Sequence, residues 1–424
     1  MSEPIVDIGP VAHGGHCVAR LDGQVVFVRH ALPGERVRLE ITDTTARFLR
    51  ADAVEVLTPS PDRVPPPCRF AGACGGCDFQ HVAPAAQRRL LTDVVREQLQ
   101  RLAGLTWDGE VEAVEPDDLG WRTRVTYAVD DDGRPGLRRH RSHDIVPIDR
   151  CLIAHHDLPA ILDRRWDAPS VEVIASGSGD RLVVTDAKVP RDVGATGVVD
   201  TRGTRRHGAA AVTEPVHDKS FRVSGSGFWQ VHPRAATTLV DAVLEGADVR
   251  PGDVVADLYA GVGLFTAFLA DATGEAGRVF SVESDAGASR DARRNLHAYR
   301  HVELVADTTE KALRRRKLGE HVDVVVLDPP RTGAKRAVAP IAALGPRRIV
   351  YVACDPAALA RDLATFASEG FELESLRAFA LFPMTHHVEC VALLTKTGPA
   401  CGEASRGVGA DLEDRALGRT LGAL

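Results

Sequence analysis

The sequence predicts a multidomain fold with a small N-terminal β-barrel, a middle α+β domain and a C-terminal α/β domain built on a parallel sheet. At 424 residues, the chain is too long to fold around one ordinary hydrophobic core, so two or three domains are expected. Residues 5–57 alternate apolar and polar positions in short runs broken by Gly, Pro and Asp, which is typical of a small antiparallel barrel. From Pro233 onward, apolar strands alternate with helices, which favours a parallel sheet covered on both faces.

The region between these two parts begins with a proline-rich stretch. Residues 59–67 hold five prolines in nine positions, so we interpret them as a stiff linker and a domain boundary. Residues 84–104 repeat apolar side chains at helical spacing and end on Gly104, which predicts an amphipathic helix. From about 106 to 225, short strands between Gly and Asp turns, with one or two weak helices, predict an α+β or mostly β domain.

The C-terminal region is expected to open with a helix at 234–247 and then to alternate strands and helices. Its last two apolar runs, 371–383 and 388–396, could pair antiparallel at one edge of the sheet. The tail is rich in Gly, Ala and charge, which predicts disorder. The expected segments are therefore the barrel at 1–58, the middle domain at 59–225, the α/β domain at 226–396 and the tail at 397–424.

The composition is that of a soluble globular protein, with 44% hydrophobic and 26% charged residues. No window approaches the length of a membrane span, and the first residues do not resemble an export signal, so we expect a cytoplasmic protein without a membrane partner. The net charge of −7 argues against nucleic-acid binding through overall charge alone. The arginine-rich residues 121–143 are a candidate local patch, and a solvated charged hairpin is the alternative.

Four acidic residues end four consecutive predicted strands of the α/β domain. Asp257 precedes a turn that contains Gly261 and Gly263, and the other three are Glu283, Asp307 and Asp328. Each acid alone is more often a helix cap, but together they converge on the crevice where such sheets bind ligands. Because the turn lacks the third glycine of a dinucleotide-binding fingerprint, we favour S-adenosylmethionine over NAD.

A cysteine occupies the corresponding end of the next apolar run. Cys354 follows residues 347–353, and Asp355 and Pro356 then turn the chain into a helix. A cysteine flanked by apolar residues is often a packed core residue, but a thiol at a helix N-terminus above the ligand crevice is a candidate nucleophile. Glu389 enters an otherwise apolar strand and is a candidate general base, with a strand-edge acid as the alternative. We interpret the adjacent His386 and His387 as loop residues.

Several motifs, taken in order along the chain, resemble those of RNA (uracil-5-)-methyltransferases of the RumA/TrmA type. The matching segments are GFWQVHP (227–233), DLYAGVGLFT (257–266), the VES containing Glu283, LDPPRTG (327–333), YVACDPAALARD (351–362) and FPMTHHVE (382–389). The resemblance implies a Rossmann-like class I methyltransferase domain at 226–396. It also implies that the N-terminal barrel is a TRAM domain, an OB-like RNA-binding module.

The resemblance further implies which groups bind cofactors. The methyl donor S-adenosylmethionine is expected to contact Gln230, Tyr259, Gly261, Glu283, Asp307 and Asp328. A 4Fe-4S cluster, as in the ribosomal-RNA branch of the family, is expected on four thiolates, those of Cys68, Cys74, Cys77 and Cys151. Zinc on the same thiolates is the chemical alternative, and a disulfide pair is the third interpretation.

The family likeness assigns Cys354 as the nucleophile that adds to carbon 6 of a uracil and Glu389 as the base that removes the carbon 5 proton. Asp355 stands where the family usually has Asn, and its charge is expected to disfavour the neighbouring thiolate. The expected substrate is RNA, 23S ribosomal RNA first and the transfer-RNA T-loop second, and the protein is expected to act as a monomer. Two other hypotheses are a non-catalytic RNA-binding protein and an amino-group methyltransferase, which has no use for Cys354.

Overall fold

The structure is a computed structural model that describes residues 3–397. The expected disordered tail therefore lies outside the described residues, apart from Thr397. Within the described part of the chain, no helix is long and apolar enough to cross a membrane.

The N-terminal residues form a six-stranded sheet in the order β1-β5-β6-β4-β3-β2. The β4–β6 pair is parallel and the other pairs are antiparallel. Alternate residues such as Val26, Val28, Val37 and Leu39 are fully buried, as the apolar alternation predicts. The strands are β1 Ile5–Asp7, β2 Val11–Ala12, β3 His16–Leu21, β4 Gln24–Arg29, β5 Arg36–Thr44 and β6 Phe48–Thr58.

The predicted amphipathic helix is α1, Pro84–Ala103. Pro84 occupies the first turn, and Gly104 ends the helix in the left-handed conformation at φ 67°, which glycine adopts without strain. A short strand, β7 Val111–Ala113, follows.

The middle region is mostly β and, among the described residues from 114 to 225, holds one short 3-10 helix at Arg191–Val193 in place of the expected weak helices. Seven strands form one sheet in the order β10-β9-β8-β11-β12-β13-β14, and β15 and β16 form a separate hairpin. The strands are β8 Arg124–Val129, β9 Pro135–Arg138, β10 Ile145–Pro147, β11 Ser170–Ala175, β12 Arg181–Val184, β13 Gly197–Val199, β14 Arg205–Gly208, β15 Ala211–Val216 and β16 Lys219–Ser224.

The C-terminal region alternates helices and strands around an eight-stranded sheet in the order β19-β18-β17-β20-β21-β23-β22-β7. Strands β17 to β21 are parallel, and β22 and β23 pair antiparallel, as expected. The elements are α2 Ala235–Ala247, β17 Val254–Leu258, α3 Leu264–Thr273, β18 Arg278–Glu283, α4 Ala286–Asn295, β19 Val302–Ala306, α5 Thr309–Arg314, β20 Val324–Leu327, α6 Lys335–Ala343, β21 Arg348–Ala353, α7 Pro356–Ser368, β22 Phe371–Ala380 and β23 Glu389–Lys396.

Two elements from the segment expected to form the middle domain belong to the C-terminal layers. Helix α1 packs on α7, and β7 pairs in parallel with β22 at the sheet edge. The apolar stripe of α1, including Leu91 and Val95, is buried in the same core as Leu359 of α7. An amphipathic helix needs an apolar partner, and the outer face of α7 supplies it.

Candidate active site

The carboxyl ends of β20 and β21 and the start of β23 meet at one cavity of about 540 Å³. Asp328 follows β20, and Cys354 follows β21. Glu389 reaches the same edge because β23 runs antiparallel to β21, with Ala353 paired to Cys390. The residues that line the cavity are Trp121, Arg122, Phe228, Gln230, Val231, Asp328, Pro329, Pro330, Arg331, Cys354, Phe382, Thr385, His387 and Glu389. Three residues that the sequence placed on separate strands are therefore brought together.

Burial and mutual repulsion favour the protonated forms of these acids. Burial, followed by the charge of Asp257, raises the pKa of Asp328 to about 7. Burial, followed by Asp328, raises the pKa of Glu389 well above its usual range, and Arg331 acts in the opposite direction. The pKa of the Cys354 thiol rises to about 12 for the same reasons, burial first and then the carboxylates of Glu389 and Asp328. A positive charge placed in the cavity would thus stabilise the ionised forms of all three.

Asp355 caps helix α7, and its carboxylate is fully engaged. One oxygen accepts a hydrogen bond from the backbone N–H of Ala358 at 2.7 Å, and the other lies 3.1 Å from Nε2 of His13. Burial alone would raise the pKa of Asp355, but the hydrogen bonds from His13 and Ala358 outweigh it and lower the pKa. The charge that we expected beside the thiol is present, and it has a partner that the sequence did not indicate.

The loop before β23 contributes more than sequence reasoning suggested. His386 and His387 lie in a loop, as expected, but their side chains are engaged. The Nδ1 atom of His386 lies 2.6 Å from the carboxylate of Asp78. His387 lines the cavity, with Nε2 3.3 Å from the guanidinium of Arg331. Burial, followed by His386, lowers the pKa of His387 to about 3, so a neutral imidazole faces the cavity.

The glycine turn after β17 provides a second set of groups beside the cavity. The backbone N–H of Gly261 donates to the carboxylate of Glu283 at 2.9 Å, and a Cβ built on Gly261 would meet open space. Tyr259 holds a left-handed conformation at φ 64° in this turn. One oxygen of Asp257 is buried without a hydrogen-bond partner. Open space and an oriented carboxylate fit a polar ligand with ribose hydroxyls.

Asp307, a predicted cofactor contact, forms ion pairs with two basic side chains. Its carboxylate lies 3.0 Å from the Lys317 ammonium and 3.3 Å from the Arg315 guanidinium. The hydrogen bond from Lys317 is the largest influence and lowers the pKa of Asp307. A ligand contact at this position would therefore compete with two ion pairs.

The four clustered cysteines meet at a small cavity of about 70 Å³ between the middle sheet and the loop after the linker. Cys68, Cys74, Cys77 and Cys151 all line it, although Cys151 is distant in sequence. Each of these cysteines is a free thiol in the structure, which holds no disulfide among its described residues. Burial raises the pKa of Cys77 to about 12, and Cys151 and Cys74 add to the rise. Thiolates that line one cavity repel one another, so a bound cation would stabilise them.

Comparison with known proteins agrees with this geometry. A TRAM domain model matches residues 4–54, and a model described as tRNA (Uracil-5-)-methyltransferase matches residues 211–397. An RNA methyltransferase of Streptomyces coelicolor is 51% identical over 93% of this chain and 94% of the relative. The chain belongs to the RNA (uracil-5-)-methyltransferase family. A second relative, from Streptomyces avermitilis, is 52% identical over 92% of this chain and 97% of its own.

A solved structure of the Pyrococcus abyssi tRNA (uracil-54, C5)-methyltransferase in complex with S-adenosyl-L-homocysteine matches the fold, with a TM-score of 0.69 and 24% identity. The match covers 92% of this chain and 99% of that one. The RumA/TrmA-type resemblance and the predicted fold class are thereby confirmed. S-adenosylmethionine is the methyl donor of the family, and the individual residue roles remain predictions.

The structure adds residues that the sequence reasoning missed. Phe228 is 72% exposed and lines the cavity, whereas its neighbour Trp229 is buried. Adjacent side chains of an extended chain point to opposite sides, so two neighbouring aromatic residues outside a helix favour one exposed ring. Arg122 belongs to the predicted arginine-rich patch but lines the cavity. Its position and that of His13 depend on long-range packing, so no local signal indicates them.

Proposed function

We propose that this family member methylates carbon 5 of a uridine in RNA with S-adenosylmethionine, through a covalent bond between Cys354 and carbon 6 of the uracil. The observation that carries the proposal is the single cavity that joins Cys354, Glu389, Asp328 and Gln230. Carbon 5 of uracil is too weakly nucleophilic to take a methyl group directly. A thiolate beside a buried carboxylate supplies the two functions that the reaction lacks.

The proposed reaction has three steps. The Cys354 thiolate adds to carbon 6, and the electron pair of the carbon 5–carbon 6 double bond moves into an enolate. Carbon 5 then takes the methyl group, which leaves S-adenosylhomocysteine. Finally the Glu389 carboxylate removes the remaining carbon 5 proton, and the carbon 6–sulfur bond breaks to restore the double bond and the thiolate.

The raised pKa values of the ligand-free site are consistent with ionisation on cosubstrate binding. S-adenosylmethionine supplies an electrophilic methyl group on a sulfonium, whose positive charge favours the ionised forms of nearby acids. The pKa values of Asp328, Glu389 and Cys354 are all raised in the protein alone. The site is therefore suited to become ionised when its cationic cosubstrate is present. We assign the cosubstrate's contacts to Gln230, Tyr259, Gly261, Glu283, Asp307 and Asp328.

The base must leave its stack to expose carbons 5 and 6, and the cavity offers groups that would hold it. The exposed ring of Phe228 provides a stacking surface. Arg122 and neutral His387 provide polar contacts at the cavity wall. We propose that the protein acts as a monomer.

We assign a 4Fe-4S cluster to Cys68, Cys74, Cys77 and Cys151. The four thiols line one cavity, and soft thiolate ligands select iron–sulfur clusters or zinc. Zinc remains the chemical alternative, and the metal content of the purified protein distinguishes the two. The group would act by fixing the loop at 68–77 to the middle sheet.

A basic groove between the barrel and the middle domain supports RNA as the partner. It has a volume of about 420 Å³ and combines Arg29 and Arg50 of the barrel with Arg139 and Arg141 of the arginine-rich patch; Asp52 lies 3.6 Å from Arg29 and Asp43 lies 3.9 Å from Arg50, so the second pair of arginines carries the net positive charge. The guanidinium of Arg50 also lies 5.0 Å from the ring centre of Phe48. A cluster of arginines facing an aromatic ring suits phosphates and stacked bases, despite the net charge of −7.

The RNA that we propose is 23S ribosomal RNA, because the barrel and the four cysteines resemble the ribosomal-RNA branch. Transfer RNA is the second candidate, favoured by the description of the family model that matches 211–397. Ribosomal and transfer RNA from a strain lacking 5-methyluridine should be incubated with the protein and labelled S-adenosylmethionine, and the modified base mapped by mass spectrometry. Label at carbon 5 of one 23S uridine supports the proposal.

Three other outcomes would each contradict part of it. Label in transfer RNA alone would refute the 23S assignment, and label on an amino nitrogen that survives Cys354→Ala would indicate an amino-group methyltransferase. Tight RNA binding without label, and without covalent trapping of RNA containing 5-fluorouridine, would indicate a binding protein. The matched controls are Cys354→Ala and Cys390→Ala, since Cys390 is a buried neighbour that the mechanism does not use.

A further inference from the structure

We propose that His13, in the N-terminal barrel, is a positioning residue for the nucleophile, and that the barrel thereby acts on the chemical step as well as on RNA affinity. His13 lies in the turn between β2 and β3, and Nε2 contacts the Asp355 carboxylate at 3.1 Å. Asp355 directly follows Cys354 and caps the helix that begins there. The inference rests on the proposed function for its meaning in catalysis, while its effect on the thiol can be measured without methylation.

The turn that carries His13 is fitted tightly against the active-site loop. Gly14 and Gly15 both hold positive φ angles, 95° and 78°, which lets the chain reverse closely. A Cβ on Gly15 would lie 2.8 Å from the Cβ of His386 and 3.3 Å from that of Asp78. The same turn therefore touches the helix after Cys354 and the loop before Glu389. One element of the barrel contacts the supports of both proposed catalytic groups.

The charges around the thiol explain why this contact affects its chemistry. Glu389 and Asp328 face Cys354 from β23 and β20, Arg331 opposes them, Asp355 is its chain neighbour, and Cys390 is buried on the adjacent strand. His13 is the group that the barrel adds to this set. Without it, one oxygen of Asp355 loses its hydrogen-bond donor, and a less stabilised carboxylate remains beside a thiol that must ionise. His13 therefore favours the Cys354 thiolate by hydrogen bonding to the Asp355 carboxylate.

The first test measures the reactivity of the thiol. The rate of Cys354 alkylation by iodoacetamide is followed by mass spectrometry between pH 7 and pH 10. Trypsin releases Cys354 in the peptide 349–361 and Cys390 in a different one, 378–396. We expect His13→Ala to slow alkylation of Cys354 by about threefold at a given pH, equivalent to about half a pKa unit. The same substitution in an Asp355→Asn background should have no effect, because the charge is gone.

Conservative and matched variants separate positioning from folding. His13→Gln keeps a hydrogen-bond donor and should restore alkylation to within twofold of the unmodified protein. Gly15→Ala should slow alkylation, because the added Cβ displaces the turn. Gly23→Ala should not, although Gly23 also has a positive φ, 83°, since a Cβ there meets nothing within 4 Å. Equal effects of the two glycine substitutions would overturn the proposal, as would unchanged alkylation in His13→Ala.

The second test uses the methylation reaction at saturating RNA. We expect His13→Ala to lower the single-turnover rate by about threefold or more, with RNA affinity unchanged within twofold. A loss confined to RNA affinity would overturn the proposal and leave the barrel as a docking module only. If the unmodified protein did not methylate RNA, the proposed function would fail, and the alkylation series would still decide the role of His13.

Discussion

Replacing Glu389 by Gln should separate the two halves of the proposed reaction. Gln keeps the shape of the side chain but cannot accept the carbon 5 proton, so the uracil adduct forms, is methylated and is not released. Glu389 is only 2% exposed, so bulk water has little access to act as a substitute base. Loss of a positioned general base costs about 10²–10⁴ in rate, and poor water access places the expected loss toward the upper end. At about 1.36 kcal/mol per decade, the barrier should rise by about 4–5 kcal/mol.

The fold should tolerate this substitution. Burial raises the pKa of Glu389 well above its usual range, which favours the neutral form, and Gln is close to isosteric with that form. The melting temperature should change by about 2 °C or less. The assay combines steady-state turnover with denaturing electrophoresis of protein incubated with unmodified RNA and S-adenosylmethionine. Glu389→Gln should accumulate a band of covalently linked RNA, and Cys354→Ala should give none.

Two results would refute this reasoning. Turnover within about tenfold of the unmodified protein would show that Glu389 is not the base. Absence of the covalent band, with RNA binding intact, would show that Glu389 acts before the adduct forms. Asp328→Asn is the matched control, because it alters a neighbouring buried carboxylate that we assign to cosubstrate binding, and it should weaken S-adenosylmethionine binding without accumulating the band.

Three further outcomes are expected. Burial is the main cause that raises the pKa of Asp257 from 3.8 to about 7, so Asp257 stabilises the fold at low pH. That stabilisation is lost as pH rises through about 7, by up to roughly 4 kcal/mol. Asp257→Asn should therefore flatten the fall in melting temperature between pH 5 and pH 8, and an unchanged slope would exclude Asp257 as the cause of that fall. Cys74→Ser should lower the iron or zinc bound per chain and the melting temperature, whereas Cys354→Ala should leave the metal content unchanged; equal metal content in both variants would contradict the assignment of the four cysteines. Arg50→Ala and Arg139→Ala should each weaken RNA binding and reduce the slope of log affinity against log salt by about one, whereas Arg250→Ala, outside the groove, should not; identical slopes in all three would refute the groove.

The arrangement of Cys354, Asp328 and Glu389 was largely predictable from the sequence, because it follows from topology. Parallel strands share one carboxyl edge, so residues that end consecutive apolar runs must lie near one another. Glu389 was a candidate because it is a charged residue in an apolar run and because of the family likeness; its place beside Cys354 follows from the antiparallel pairing of β23 with β21, which the sequence did not indicate. The helix at 84–103 was equally predictable, since its apolar spacing and Gly104 are local signals.

Contacts between distant segments were not predictable. His13 meets Asp355, and Asp78 meets His386, across more than 300 residues of chain in each case. Nothing in the residues around His13 indicates that its turn packs against Asp355 and His386. The sequence indicated the charge of Asp355 but not its hydrogen-bond partners, which packing supplies and which lower its pKa. Asp307 shows the same limit, since its ion pairs with Lys317 and Arg315 depend on the three-dimensional course of the chain after α5.

The parallel pairing of β7 with β22 has a consequence for anyone who divides this protein. A fragment that begins at the start of the family match, residue 211, would lack β7 and α1. It would present the bare backbone of β22 as an open sheet edge and leave the apolar face of α7 uncovered. Such edges recruit other chains, so the fragment should aggregate. A methyltransferase domain transplanted onto another RNA-binding module therefore has to carry residues 84–113 with it, because this upstream segment covers α7 and pairs with β22.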